Sequence, residues 1–229
     1  MRARILNNLA NLYSDTQRMK EAEAAYLEAL AIRRKLAQAN PDAYLPYVAT
    51  TLNNLANLYS ATQRMKEAEA AYLEALATYR KLAQANPDAY LPDVSMTLNN
   101  LANLYRDTQR MKEAEAAYLE ALALRRKLAQ ANPDAYLPYV ATTLNNLAVL
   151  YRDTQRMKEA EAACRESEAI LTPLWQAQPE PHGNQMARIW WTLSDFTPKS
   201  ESLTLLRQAL AAAYDPTLRS DLEQAIKNL

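Results

Sequence analysis

The chain has 229 residues, 49% hydrophobic and 23% charged, with 26 basic against 26 acidic side chains and a formal net charge of zero. One Gly, one His and one Cys exclude Gly-dependent phosphate loops and doubly wound nucleotide folds, a disulfide framework and a Cys/His zinc site. Balanced charge removes the electrostatic footprint of a general nucleic-acid binder, and no run of 18 apolar residues is present to span a membrane. Met1-Arg2-Ala3-Arg4 leads into Asn-rich amphipathic sequence and not into an apolar signal segment. The expectation is a cytoplasmic helical protein without cofactor, metal or catalytic residues.

A 46-residue period governs the first three quarters of the chain: Leu6, Leu52, Leu98 and Leu144 each open the string LNNLA. Windows 6–51 and 52–97 differ only at Asp15/Ala61, Ile32/Thr78, Arg33/Tyr79, Tyr47/Asp93, Ala49/Ser95 and Thr50/Met96. A period of this size reads as an array of units that each stack on their neighbours. Within a unit the apolar spacing is helical. Leu52, Leu55, Ala56 and Tyr59 share one face of a first helix, and Asn53, Asn54 and Asn57 fall on the opposite face. Ala68, Tyr72 and Ala75 stripe a second helix of roughly Met65 to Ala85, whose alanines admit close helix approach. The short connection from Ser60 to Arg64 makes the pair an antiparallel hairpin.

Leu52, Leu55, Ala56, Tyr59, Ala68, Tyr72 and Ala75 together resemble the signature of the tetratricopeptide repeat (TPR). The set recurs in units one and three. Unit four keeps Leu144, Leu147, Ala148, Tyr151 and Ala160 but places Cys164 and Ser167 at the last two positions. The resemblance covers roughly residues 2–172 and is closer still to the kinesin light chain subtype, whose run into the first helix is nearly reproduced by residues 92–102. That subtype usually has Gly at the turn inside the hairpin. Gln17, Gln63, Gln109 and Gln155 stand there instead. A positive φ costs a non-Gly residue about 1 kcal/mol or more, so the turn is expected to be built differently. Between units, Asn86 is pushed out of the α region by Pro87. Asn86-Pro87 is expected to cap a short turn, and the first helix proper to begin near Pro92, since proline breaks a continuous helix.

The first unit begins abruptly: Arg2 aligns with Val48, and the Pro-containing run is missing. The expectation is a piece of a longer protein, or an array that starts uncapped and associates with a second copy through residues 1–35 in a concentration-dependent way. After Leu171 the composition shifts, and all three Trp, the only Phe, the only His and the only Gly lie beyond it. Pro179-Glu180-Pro181 reads as a loop. Met186, Ile189, Trp190 and Leu193, then Ser202, Leu206 and Ala209, read as a degenerate fifth hairpin. Asp215-Pro216 opens a last helix through about Lys227.

The candidate site is a ladder of asparagines: Asn7, Asn8 and Asn11; Asn53, Asn54 and Asn57; Asn99, Asn100 and Asn103; Asn145 and Asn146. Asn weakens helix interiors because its side chain competes for the backbone, so its return at matched places asks for a function. In arrays that this one resembles, the same face lines a concave groove in which asparagines hold peptide backbone. One amide offers both donor and acceptor, and units about 10 Å apart match roughly three residues of extended peptide. The alternative is a solvated face copied by duplication. Lys66, Glu67 and Glu69 read as a solvated face with an i,i+3 pair. Arg33, Arg34, Arg125 and Arg126 favour the helix dipole. Cys164 reads as a small buried residue and His182 as exposed and idle. The tryptophans read as cap packing, with the alternative that Trp190 or Trp191 is a docking anchor.

The fold class expected is all-α: a right-handed α-solenoid of antiparallel helix hairpins with a C-terminal helical cap. Its domains are residues 1–172, four repeats of about 1–41, 42–87, 88–133 and 134–172, and 173–229, a degenerate repeat with its capping helix. The function expected is a non-enzymatic protein-interaction scaffold whose partner is a protein or peptide, with no nucleic acid and no membrane. The alternatives are a regulatory or sensor segment of a larger multidomain protein and a self-assembling repeat module.

Overall fold

The computed structural model describes residues 1–229. It is built from eleven helices and no strand: α1 (Arg2–Asp15), α2 (Met19–Ala39), α3 (Pro41–Ala61), α4 (Met65–Ala85), α5 (Pro87–Asp107), α6 (Met111–Ala131), α7 (Pro133–Asp153), α8 (Met157–Ala177), α9 (Pro179–Ser194), α10 (Lys199–Ala212) and α11 (Pro216–Asn228). None is long and apolar enough to cross a membrane.

The odd-numbered helices of the repeats start earlier than expected. Asn40, Asn86 and Asn132 accept from the backbone N–H of Ala43, Ala89 and Ala135 at 3.2, 3.2 and 3.3 Å, and a proline stands at the first helical position of each. This cap closes a helix end that would otherwise leave its first N–H groups unpaired. Pro46, Pro92 and Pro138 therefore lie inside helices and do not begin them. Each sits near an N-terminus, where a missing N–H removes only one early backbone bond. Each proline carbonyl also accepts from a side chain one turn on: Thr50 at 2.9 Å, Ser95 at 2.8 Å and Thr142 at 3.0 Å. Gln178 takes nearly the same backbone angles as those asparagines, though its side chain makes no cap bond, and Pro179 is the first residue of α9, so Pro179-Glu180-Pro181 is a helical turn and not a loop.

The turns inside the hairpins also depart from expectation. Gln17, Gln63, Gln109 and Gln155 adopt φ of 61–62°, the left-handed region that Gly fills in the resembling family. The helix end is closed by two backbone bonds around that residue: Gln63 N–H to Ser60 O at 3.0 Å and Arg64 N–H to Tyr59 O at 2.8 Å. These satisfy carbonyls left over at the helix end. The Arg64 guanidinium then lies 4.3 Å from the Tyr59 ring centroid, a contact repeated by Arg18 on Tyr13, Arg110 on Tyr105 and Arg156 on Tyr151. Cation–π stacking of this kind contributes about 0.5–1 kcal/mol at exposed sites and offsets much of the backbone strain.

The chain divides into two compact units, Met1–Ala117 and Tyr118–Leu229. In the first, α1 pairs with α2 and α3 with α4, while α2 packs on α3 and α4 on α5; α3 also touches both α1 and α5 directly. The core is the predicted stripe: Leu52, Leu55, Ala56 and Tyr59 of α3 are buried against Ala68, Tyr72 and Ala75 of α4. The second unit pairs α7 with α8 and α9 with α10, packs α8 on α9, and sets α11 against α10. Trp190 is buried, stacks edge-on against Trp175 with ring centroids 5.2 Å apart, and donates its indole N–H to Glu168 at 2.8 Å. Trp191 is half-buried. Of the two tryptophans considered as docking anchors, Trp190 is thus a core residue. The lone Gly183 is buried in α9 with ordinary backbone, and its hydrogen faces the Ala212 carbonyl and the Tyr214 ring.

Candidate functional site

In the first repeats the three asparagines occupy different environments. Asn7, Asn53 and Asn99 are buried, at 3–6% exposure, so they do not line an open surface. Asn7 Oδ1 accepts from the Arg33 guanidinium at 3.0 Å and sits 3.4 Å from the Thr51 hydroxyl. The second set points outward. Asn8 is exposed and Asn54 and Asn100 are half-buried, and none of these three amides hydrogen-bonds within the chain. The third set is half engaged: Asn11 and Asn57 accept from the phenols of Tyr26 and Tyr72. Burial pushes both phenols above their ordinary pKa, so both remain donors at neutral pH. The Oδ1 of each asparagine is used and its NH2 group is left to solvent.

Asn11, Asn54 and Asn57 converge, with Ser14, Asp15, Tyr26, Leu58 and Ala61, on an open depression of about 490 Å³ beside α1 and α3. In the second unit Asn145 and Asn146 are both half-buried. The thiol of Cys164 lies 4.0 Å from Asn145 Oδ1 and donates to the Ile189 carbonyl at 3.4 Å. The thiol is fully buried, and burial pushes its pKa up to about 12, which suits a packing residue and not a nucleophile.

Two other groups of charges differ from their sequence reading. Arg33 and Arg125 are buried, at 6% and 4% exposure, and do not merely complement a helix dipole. Arg33 Nη1 reaches across to the next hairpin, donating to the Tyr47 carbonyl at 3.1 Å and to the Thr51 hydroxyl. Arg125 makes the same bonds to Tyr139 and Thr143, at 3.0 and 2.5 Å. Desolvation pulls the Arg125 pKa down to about 10, still far enough above neutrality to keep it charged. Their neighbours Arg34 and Arg126 form exposed pairs with Glu74 and Glu166 at 2.6 and 2.5 Å. Glu69 turns to Arg110 at 2.7 Å and Glu67 to Arg64 at 3.0 Å, in place of the expected local pair with Lys66. The signal for the Arg33 lock was present in the sequence as the linked changes Arg33/Tyr79 and Tyr47/Asp93, but only packing shows that those positions meet.

Capped helix hairpins stacked in register, with one free amide on the odd-numbered helix of each of the first three repeats, define a repeat solenoid of the protein-interaction class. The tetratricopeptide repeat profile matches residues 1–81, 47–127 and 93–172, and the chain belongs to that family. Among solved structures it is similar to BtubC (BKLC) from P. vanneervenii, at 23% identity over 98% of this chain and 80% of that one, with a TM-score of 0.67. It is similar also to a kinesin light chain-like protein with nearly identical TPR-like repeats from Podosopora anserina (21% identity, 92% and 94% covered, TM-score 0.64). The apo form of RapI gives a TM-score of 0.72 at 15% identity, covering 92% of this chain and 68% of that one. These likenesses establish the fold. No curated protein sequence matches this one significantly.

Proposed function

We propose that this chain is a non-enzymatic scaffold that holds an extended peptide main chain along α1, α3 and α5 through Asn8, Asn54 and Asn100. The observation that carries the reading is the unused hydrogen-bonding capacity of these three amides, each able to donate to and accept from one peptide unit. The NH2 groups of Asn11 and Asn57 supplement them. The buried Asn7, Asn53 and Asn99 have no part in it. Neighbouring odd-numbered helices about 10 Å apart would address every third residue of an extended strand. Recognition by main chain also suits a protein of zero net charge, and binding should change little with salt.

The test is a displayed library of random 12-residue peptides selected on the wild-type chain, with the selected peptide then titrated against Asn54→Ala/Asn100→Ala. Each lost hydrogen bond contributes about 0.5–1.5 kcal/mol net, so the double variant should bind about ten- to a hundredfold more weakly. It should fold normally, because Ala is the better helix former. Unchanged affinity, or a footprint on the even-numbered helices, would overturn the proposal.

A second surface supports self-association. Leu12 is 57% exposed, whereas its equivalents Leu58, Leu104 and Leu150 are 1–3% exposed, and Ile5 stands 57% exposed where the other repeats bury a threonine. An uncovered apolar face of this kind favours association. Light scattering should show a mass that rises with concentration, and Leu12→Glu should return it to that of a monomer. A strict monomer at high concentration would remove this reading.

A further inference from the structure

We propose that the seam between the second hairpin (α3, α4) and the third, entered through α5, is a hinge built into the array. The first two windows of the sequence differ at six positions, and five of these gather at that seam: Ile32/Thr78 and Arg33/Tyr79 late in the even helix, and Tyr47/Asp93, Ala49/Ser95 and Thr50/Met96 early in the next odd helix. The following seam reverts to the first pattern, with Arg125, Tyr139, Ala141 and Thr142. The changes thus form one block at one interface.

At the first seam, Arg33 Nη1 joins three oxygens from two hairpins: Asn7 Oδ1 in its own, and the Tyr47 carbonyl and Thr51 hydroxyl in the next. Its guanidinium also lies 5.5 Å from the Tyr47 ring centroid. At the second seam Tyr79 takes the place of Arg33 and turns back into its own hairpin, its hydroxyl 3.0 Å from Thr50 Oγ1. Asn53 Oδ1 and Thr97 Oγ1, the counterparts of Asn7 and Thr51, are left buried with no hydrogen-bond partner. Asp93 stands half-buried in the place of Tyr47, with burial raising its pKa. Ser95 bonds only to its own helix.

Two orphaned buried oxygens and a half-buried carboxylate all penalise closure. The Arg110–Glu69 pair still crosses this seam, as Arg64–Glu23 crosses the first, but partly exposed pairs of this kind contribute little. Local opening draws on the least stable interface. Asn54 on α3 and Asn100 on α5 stand on opposite sides of this one, so its opening changes the spacing between two free amides.

Hydrogen exchange with mass spectrometry tests the hinge on the full chain, without any ligand. Peptides covering 70–97 are distinguishable from those covering 24–51 by the very residues that differ. Transplanting the first-seam block (Tyr79→Arg/Asp93→Tyr/Ser95→Ala/Met96→Thr) should slow exchange in α4 and α5 about tenfold and leave α1 and α2 unchanged. The reverse transplant (Arg33→Tyr/Tyr47→Asp/Ala49→Ser) should speed exchange in α2 and α3 by a similar factor. Unchanged or faster exchange in the first variant overturns the proposal. If that variant fails to fold, the reverse transplant decides, and an unchanged rate in α2 and α3 overturns it. Neither outcome depends on peptide binding, so the hinge and the groove stand or fall separately.

Discussion

Gly183→Ala should unseat the C-terminal hairpin before the rest of the chain unfolds. A Cβ at this position would lie 2.3 Å from the Ala212 carbonyl oxygen and 2.6 Å from the Tyr214 ring. The ring can swing away, but the carbonyl is backbone at the end of α10 and moves only if the helix moves. Overpacking at a backbone contact of this kind costs about 3 kcal/mol. The hydrogen bonds that the Tyr214 and Asp215 N–H groups give to Asn184 Oδ1, at 2.7 and 2.9 Å, depend on the same approach and should weaken with it. All three tryptophans lie at residues 175–191, so fluorescence reports this region selectively. The variant should show a red-shifted emission and an early tryptophan transition, followed by the helical transition of the repeats seen by circular dichroism. Coincident transitions at the wild-type temperature would show that the contact relaxes without cost.

Arg33→Met should destabilise the first seam by about 2–4 kcal/mol. Met keeps much of the apolar stem but removes the donor shared by Asn7, Tyr47 and Thr51, and an acceptor left buried without its partner costs about 1–3 kcal/mol. Arg34→Met, one residue away, removes only an exposed pair with Glu74, whose side chains are 49% and 48% exposed. It should cost less than about 1 kcal/mol. Urea unfolding of the two variants side by side makes the comparison, and equal losses would deny Arg33 its role as a lock. Asn7→Leu should be far less harmful in the Arg33→Met background than in the wild type, because the two side chains share one bond.

Helix hairpins, their register and their buried faces were legible from spacing alone. The span of α4 is the one read from its alanine stripe, because a helix seen from its own sequence buries what its period dictates. Local rules misjudged three places where two of them compete. At Pro92 the breaking tendency of proline gave way to the Asn86 cap six residues earlier. At Pro179 a Pro-rich run opened a helix where a loop was expected. At Gln63 the preference for Gly gave way to a turn closed by backbone bonds and by Arg64 on Tyr59. At Pro92 and Gln63 the deciding term is a hydrogen bond or stacking contact whose partner lies several residues away, and at Pro179 it is the proline's fixed φ at the first helical position.

The candidate site divides along the same line. Sequence by itself determined that an asparagine triplet returns every 46 residues through three repeats, losing its third member to Val149 in the fourth, and that helical spacing brings its members near one face. It could not determine that Asn53 is buried, that Asn57 is held by Tyr72 and that Asn54 is free. The three lie within four residues of one another on one helix, and what separates them is which neighbouring helix covers each. That cover comes from α4 within the hairpin and from α2 and α5 beyond it. The fate of the arginines has the same cause. Arg33 and Arg34 are adjacent and chemically identical, but one faces the next hairpin and the other faces water, and the low dielectric at the seam turns the first into a lock.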